Sequence, residues 1–188
     1  MSYAARLPRT PVLMLASAIA AAAAVLAVIS VVGLLGSAGG SAGAIRTFTA
    51  PGHAFRVALP DGWNGVPAAQ LTGLPAAPVA ILRRADGRGL VTVEPSAPIH
   101  SGLAQLARSL TAQLRHRFKD FRLVGARLVH IRAGQAFAYT FVRAPAGTVQ
   151  TIVVAAANGR TWTIDAVVPG SAPAAAHEAG SIVATFGP

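Results

Sequence analysis

The sequence predicts an α+β domain: an antiparallel sheet of about six to eight strands flanked by helices, preceded by one transmembrane helix. Three observations carry this. Residues 11–36 contain no charged side chain. Leu103, Leu106, Leu110, Leu114 and Phe118 recur at helical spacing. Beyond Arg122, the turn signals Ala133-Gly134, Pro145-Ala146-Gly147 and Asn158-Gly159 recur every 12–13 residues, which marks an antiparallel meander. Strands in series with segregated helices define the α+β class.

The chain divides into a short cytoplasmic N-terminus (1–10), an apolar segment (11–36), a tether (37–44) and a domain (45–188). At about 1.5 Å per residue the apolar run reaches roughly 39 Å as a helix, more than the roughly 30 Å of bilayer hydrocarbon. Arg6 and Arg9 precede it, so the positive-inside bias keeps the N-terminus cytoplasmic and exports the domain across the plasma membrane. A cleavable signal is the alternative, because Ala42-Gly43-Ala44 has the small-residue form of a cleavage site. Cutting after Ala44 would release a secreted domain. Uncut, the glycine, alanine and serine tether spans only roughly 15–18 Å root-mean-square and holds the domain near the membrane.

Within the domain, Ile45–Ala50 and Ala54–Leu59 read as a strand pair joined through Pro51-Gly52, with Phe55, Val57 and Leu59 on one side. Trp63 follows Pro60-Asp61-Gly62. Asn64 to Pro78 shows no periodicity and reads as a loop, long enough to suggest function. Val79–Arg84 and Gly89–Glu94 flank an Asp86-Gly87 hairpin turn. Ser101 is placed to cap a helix running to about Lys119. Four meander strands follow, at Arg122–Arg132, Gln135–Arg143, Thr148–Ala156 and Thr161–Val168. Phe137, Tyr139 and Phe141 share one face of the second. Pro173 opens a closing helix whose inner side holds Ala175, Ala179, Ile182, Val183 and Phe186.

Composition excludes several chemistries. The chain has no cysteine, hence no disulfide, thiolate metal site or cysteine nucleophile. No G-x-S-x-G, H-E-x-x-H or phosphate-binding glycine loop occurs, and the five histidines have no ligand spacing. No catalytic residue, metal or cofactor is expected. Ser109, His116 and Asp120 are the nearest approach to a hydrolase triad, but Ser109 and His116 stand two helical turns, about 10 Å, apart. Glu94 and Glu178 have no partner that sequence can name.

Phe55-Arg56-Val57-Ala58-Leu59-Pro60-Asp61-Gly62-Trp63 resembles the opening of the PsbP-like α/β/α sandwich superfamily. Gln150–Val154 with Gly159–Ile164 is similar to that family's paired late strands, and Ile182–Phe186 to the end of its last helix. The resemblance covers roughly residues 45–188. It implies a central antiparallel sheet with helices on both sides and a non-enzymatic accessory role beside a membrane, as in LpqN-type actinobacterial envelope proteins. Unlike those lipoproteins, this chain lacks a lipidated cysteine. The matching positions are structural, so no family site residue carries over.

Two candidate sites remain. With Arg6 and Arg9 set aside, the domain holds all six acidic residues against fourteen basic ones, a formal +8. Arg108, Arg115 and Lys119 cluster opposite the leucine stripe, Arg117 flanks them and Arg122 follows. This basic surface fits an anionic lipid, an anionic polymer or an envelope protein rather than nucleic acid. Alternatively, Trp63 with Asn64, Leu71 and Leu74 lines a pocket for a small apolar ligand under the 64–78 loop. The expected role is a non-enzymatic, membrane-anchored extracytoplasmic accessory or binding domain. An apolar-ligand carrier is the alternative, and a hydrolase the more distant one.

Overall fold

The computed structural model describes residues 45–67, 79–98, 102–144 and 146–188. The expected anchor and tether lie outside these residues. Among the described residues no helix is long and apolar enough to cross a membrane.

The strands are β1 (Arg46–Thr49), β2 (Arg56–Leu59), β3 (Trp63–Pro67), β4 (Ala80–Arg84) and β5 (Leu90–Ser96), then β6 (Phe121–Ile131), β7 (Gly134–Arg143), β8 (Thr148–Ala157) and β9 (Arg160–Pro169). Helix α1 (Leu103–Arg117) precedes β6 and α2 (Pro173–Ala184) follows β9. Seven strands form one antiparallel sheet in the order β3-β4-β5-β9-β8-β7-β6, while β1 and β2 pair separately. The α+β prediction and the four-strand meander are found. The meander folds back so that β9 joins β5 at the centre of the sheet.

Period-two alternation divides the sheet's side chains between two layers. On one face Leu82, Val93, Val153, Trp162 and Ile164 pack with Phe55, Val57 and Leu59 of β2 and Ala175, Ala179 and Ile182 of α2. The Phe55 ring meets Trp162 edge-on at 5.3 Å and Phe186 at 5.0 Å. On the other face Leu106, Leu110 and Leu114 of α1 cover Phe137, Tyr139, Phe141, Ile152 and Val154. Tyr139 requires a partner for its buried hydroxyl and finds Thr111 at 2.7 Å.

Helix α1 ends where Phe118 turns extended, and its last turn holds Arg115, His116 and Arg117, which suit the negative end of the helix dipole. Two boundaries differ from expectation. Lys119 lies beyond the helix, in the turn to β6, and the N-cap is Gly102 with no side-chain cap; Ser101 lies outside the described residues. After α2, the chain end ties the layers together. Gly187 exchanges backbone hydrogen bonds with Arg56, and the Thr185 hydroxyl accepts from the Ala58 amide at 2.9 Å.

The stretch expected as a loop begins instead with a strand, β3, at one sheet edge. Gly65 and Pro67 conceal its periodicity. Gly65 is required because a Cβ there would collide with the Phe48 ring of β1.

Candidate functional site

Three features of the described residues bear on function: a basic surface, a groove beneath α2 and a buried acidic pair. Arg108, Arg115, Arg117, Lys119 and Arg122 are all exposed around the end of α1 and the start of β6. Arg117 lies 5.4 Å from the centre of the Phe118 ring, and Arg143 lies over the same ring at 4.1 Å. Arg143 also pairs with Asp120 at 3.5 Å. Asp120 is thus oriented toward a structural partner, while His116 is exposed on the helix. The hydrolase arrangement gains no support from this geometry.

Trp63 does not line a pocket mouth. It is fully buried and packs so closely on Gly89 that a Cβ there would fall 2.7 Å from the indole. Its Nε1–H donates to Glu178 Oε2 at 2.7 Å, and Arg84 Nε donates to the same oxygen at 2.7 Å. Those bonds, that from Arg84 first, hold the Glu178 carboxyl below its ordinary range. Asn64 is exposed on β3 and receives a long 3.4 Å bond from Arg46. Leu71 and Leu74 lie outside the described residues. Among the described residues, Trp63 is thus held by packing against Gly89 and by the ion pair of Arg84 with Glu178.

An open groove of about 310 Å³ lies instead between α2 and the β6–β9 half of the sheet. Its floor includes Val129, Ala138, Val153 and Ala166, and its roof is Ala176, Ala179, Gly180 and Val183. Small side chains on both layers leave the space, and a Cβ built on Gly180 meets nothing within 4 Å. Thr140 and Thr151, bonded to each other at 3.1 Å, supply polar groups, while Arg127 and His130 stand on the β6 side. Its size and lining suit a small apolar molecule with a polar or anionic head.

The sequence reading missed the acidic pair. Register sets Glu94 of β5 opposite Thr163 of β9, and Thr92 opposite Asp165, all on the α1 face. Glu94 and Asp165 are only 6% and 4% exposed. Gln150 Nε2 donates to Asp165 Oδ2 at 2.6 Å, yet Asp165 Oδ1, Glu94 Oε1 and Thr163 Oγ1 have no hydrogen-bond partner among the described residues. Burial pushes Asp165 up to about 7 despite the Gln150 bond. Burial, then the neighbouring Asp165 charge, pushes Glu94 up to about 7 as well. One signal was available: a charge, Asp165, inside the apolar run Ile164–Val168 of β9. Among the described residues no three of His, Asp and Glu converge as a metal site.

No family model matches this sequence, and no curated protein matches it. Solved structures do. The solution structure of cyanobacterial PsbP (CyanoP) from Synechocystis sp. PCC 6803 superposes with a TM-score of 0.55 at 14% identity, over 81% of this chain and 97% of that one. The fold is PsbP-like. The crystal structure of LpqN, involved in cell envelope biogenesis of Mycobacterium tuberculosis, aligns with a TM-score of 0.47 at 13% identity, over 78% of this chain and 87% of that one. At 14% identity, what this chain shares with the cyanobacterial structure is its architecture, and a shared architecture does not carry site chemistry with it.

Proposed function

We propose that this chain is a non-catalytic, membrane-anchored extracytoplasmic binding domain that recognises an anionic envelope component or an acidic surface of an envelope protein. The observation that carries the reading is the exposed basic group Arg108, Arg115, Arg117, Lys119 and Arg122 on a domain of formal charge +8. Each well-placed basic residue near an anionic surface contributes about 1 kcal/mol. The fold adds a direction. The described chain begins at β1 on the α2 face, whereas Arg108, Arg115, Arg117 and Lys119 surround α1 on the opposite face, and only Arg122 of the group alternates to the α2 side. A tether leaving from β1 turns that group away from the bilayer holding the chain, which favours an envelope polymer or protein over the leaflet itself.

The test is sedimentation of a 45–188 fragment with poly-glutamate-coated beads and with anionic vesicles across a salt series. Binding should weaken as salt rises and fall further when the five basic residues are changed to Gln. Salt-insensitive binding, or none to either surface, removes the proposal.

The groove favours a second reading, a carrier of small apolar ligands. Filling it with Gly180→Leu should abolish enhancement of an apolar fluorophore without lowering the unfolding temperature. Unchanged fluorescence would exclude the groove as a binding site.

A further inference from the structure

The two edges of the sheet are finished differently. At the β3 edge, Arg46 Nη2 donates to the Trp63 carbonyl at 2.6 Å, Phe48 of β1 lies against Gly65, and Pro67 has no amide hydrogen. That edge is capped. At the other edge, β6 has β7 on one side and no strand on its outer side among the described residues. It is the longest strand, and every side chain from Arg122 to Leu128 is exposed. Of the four large apolar side chains exposed among the described residues, Leu123, Val124 and Leu128 are on β6. A long open edge with exposed apolar side chains is a template for strand pairing.

The bulge at Val124 interrupts this edge and leaves Gly125–Ile131 in unbroken register with Gly134–Thr140. The two-residue loop Arg132-Ala133 makes Ile131 and Gly134 a hydrogen-bonded pair. Alternation then turns the backbone of Val129, Arg127 and Gly125 toward β7, and that of His130, Leu128 and Ala126 outward. The uninterrupted seven residues are therefore centred on Leu128, whose side chain is 45% exposed and whose backbone groups face solvent.

We propose that β6 is a homodimer interface, in which the Gly125–Ile131 segments of two copies pair antiparallel about a twofold axis at Leu128. In this register Leu128 faces the partner's Leu128 and Ala126 faces the partner's His130. The three outward-facing residues of each strand meet the three of the other, which forms six backbone hydrogen bonds. Arg127 falls opposite the partner's Val129, so no arginine directly opposes another. The two seven-stranded sheets become one continuous sheet.

Two consequences follow from the axis, which runs perpendicular to the sheet. Both β1–β2 pairs lie on the same side of the dimer, as two chains anchored in one membrane require. Arg127 and Val129 also border the groove under α2, so the partner's Arg127 and Val129 extend that groove across the interface. The pairing itself rests on neither the anchor nor the basic-surface reading.

A chain without cysteine makes the test clean. Full-length protein in a neutral detergent is given single cysteines and mildly oxidised. Directly opposed strand residues have the Cα spacing of a disulfide, so L128C should dimerise about tenfold faster than R88C in the exposed β4–β5 turn. A126C and H130C should crosslink to each other when mixed and only slowly alone. Light scattering should give twice the 19.0 kDa chain mass for the unmodified protein. L128K should be monomeric, while L123K, exposed on the same strand but before the bulge, should remain dimeric. Because two +8 domains repel, added salt should strengthen the dimer, the opposite of binding to an anionic surface. A monomer at every salt concentration, equal crosslinking of L128C and R88C, or equal disruption by L123K and L128K overturns the proposal. Circular dichroism of each variant distinguishes lost pairing from lost folding.

Discussion

The two faces of the central sheet are built from the same strands and bury their side chains by different rules. Under α2 the central residues are almost wholly apolar, from Leu82 and Val93 through Ile164 to Val153. The two tryptophan N–H groups there are satisfied, that of Trp162 by the Ala157 carbonyl at 3.2 Å. On the α1 face, leucines cover the aromatic half, whereas Thr92, Glu94, Thr163 and Asp165 occupy the buried β5–β9 half. The contrast separates two sources of stability. Hydrocarbon burial is indifferent to pH, whereas a buried carboxyl is tolerated only while it carries its proton.

The largest effect should come from Trp162→Ala, which empties the aromatic centre of the α2 face. It should cost about 3–5 kcal/mol, read as a lower denaturant midpoint and by the same amount at pH 5 and pH 8. A pH-dependent loss would break the comparison.

The acidic pair predicts the opposite behaviour. Burial raises Asp165 from its ordinary 3.8 and Glu94 from its ordinary 4.5 to about 7, so the folded chain holds protons that the unfolded chain releases. Their favourable contribution is complete below about pH 4 and is lost as pH rises toward and through 7. Stability should fall across that window by on the order of a few kcal/mol. Asp165→Asn should flatten the slope and make the protein more stable than wild type at pH 8. Parallel curves for the two proteins would exclude the pair as the origin of the slope.

Smaller changes sharpen the comparison. Glu178→Gln weakens the acceptor shared by Trp63 and Arg84 and should cost about 1–2 kcal/mol in urea unfolding. Tyr139→Phe removes one hydroxyl bond to Thr111 and should cost about 1 kcal/mol. Arg108→Gln, on the exposed side of α1, should change stability by less than about 0.5 kcal/mol.

Much of the fold was legible because it is written locally. Asn158-Gly159 supplies two positive φ angles, 51° and 69°, for the β8–β9 hairpin, and both residues adopt them readily. The leucine stripe and Pro173 located both helices for the same reason. Strand β3 was not legible, because glycine and proline within five residues erase the alternation that marks a strand. The basic surface was readable residue by residue, since charged side chains around a helix end stay in solvent. The groove was not. It exists because small residues distant in sequence, among them Ala138, Ala166 and Gly180, face one another.

Sequence alone determined the α+β class, the apolar segment before the domain, the exclusion of thiol chemistry and the sign of the surface charge. These follow from composition and short-range periodicity. Tertiary structure decided which edge of the sheet is capped, that Trp63 is sealed against Glu178, and that Glu94 and Asp165 share one buried layer. Each depends on strand order and register, in which residues far apart along the chain become neighbours and a one-residue slip would send every side chain to the other face.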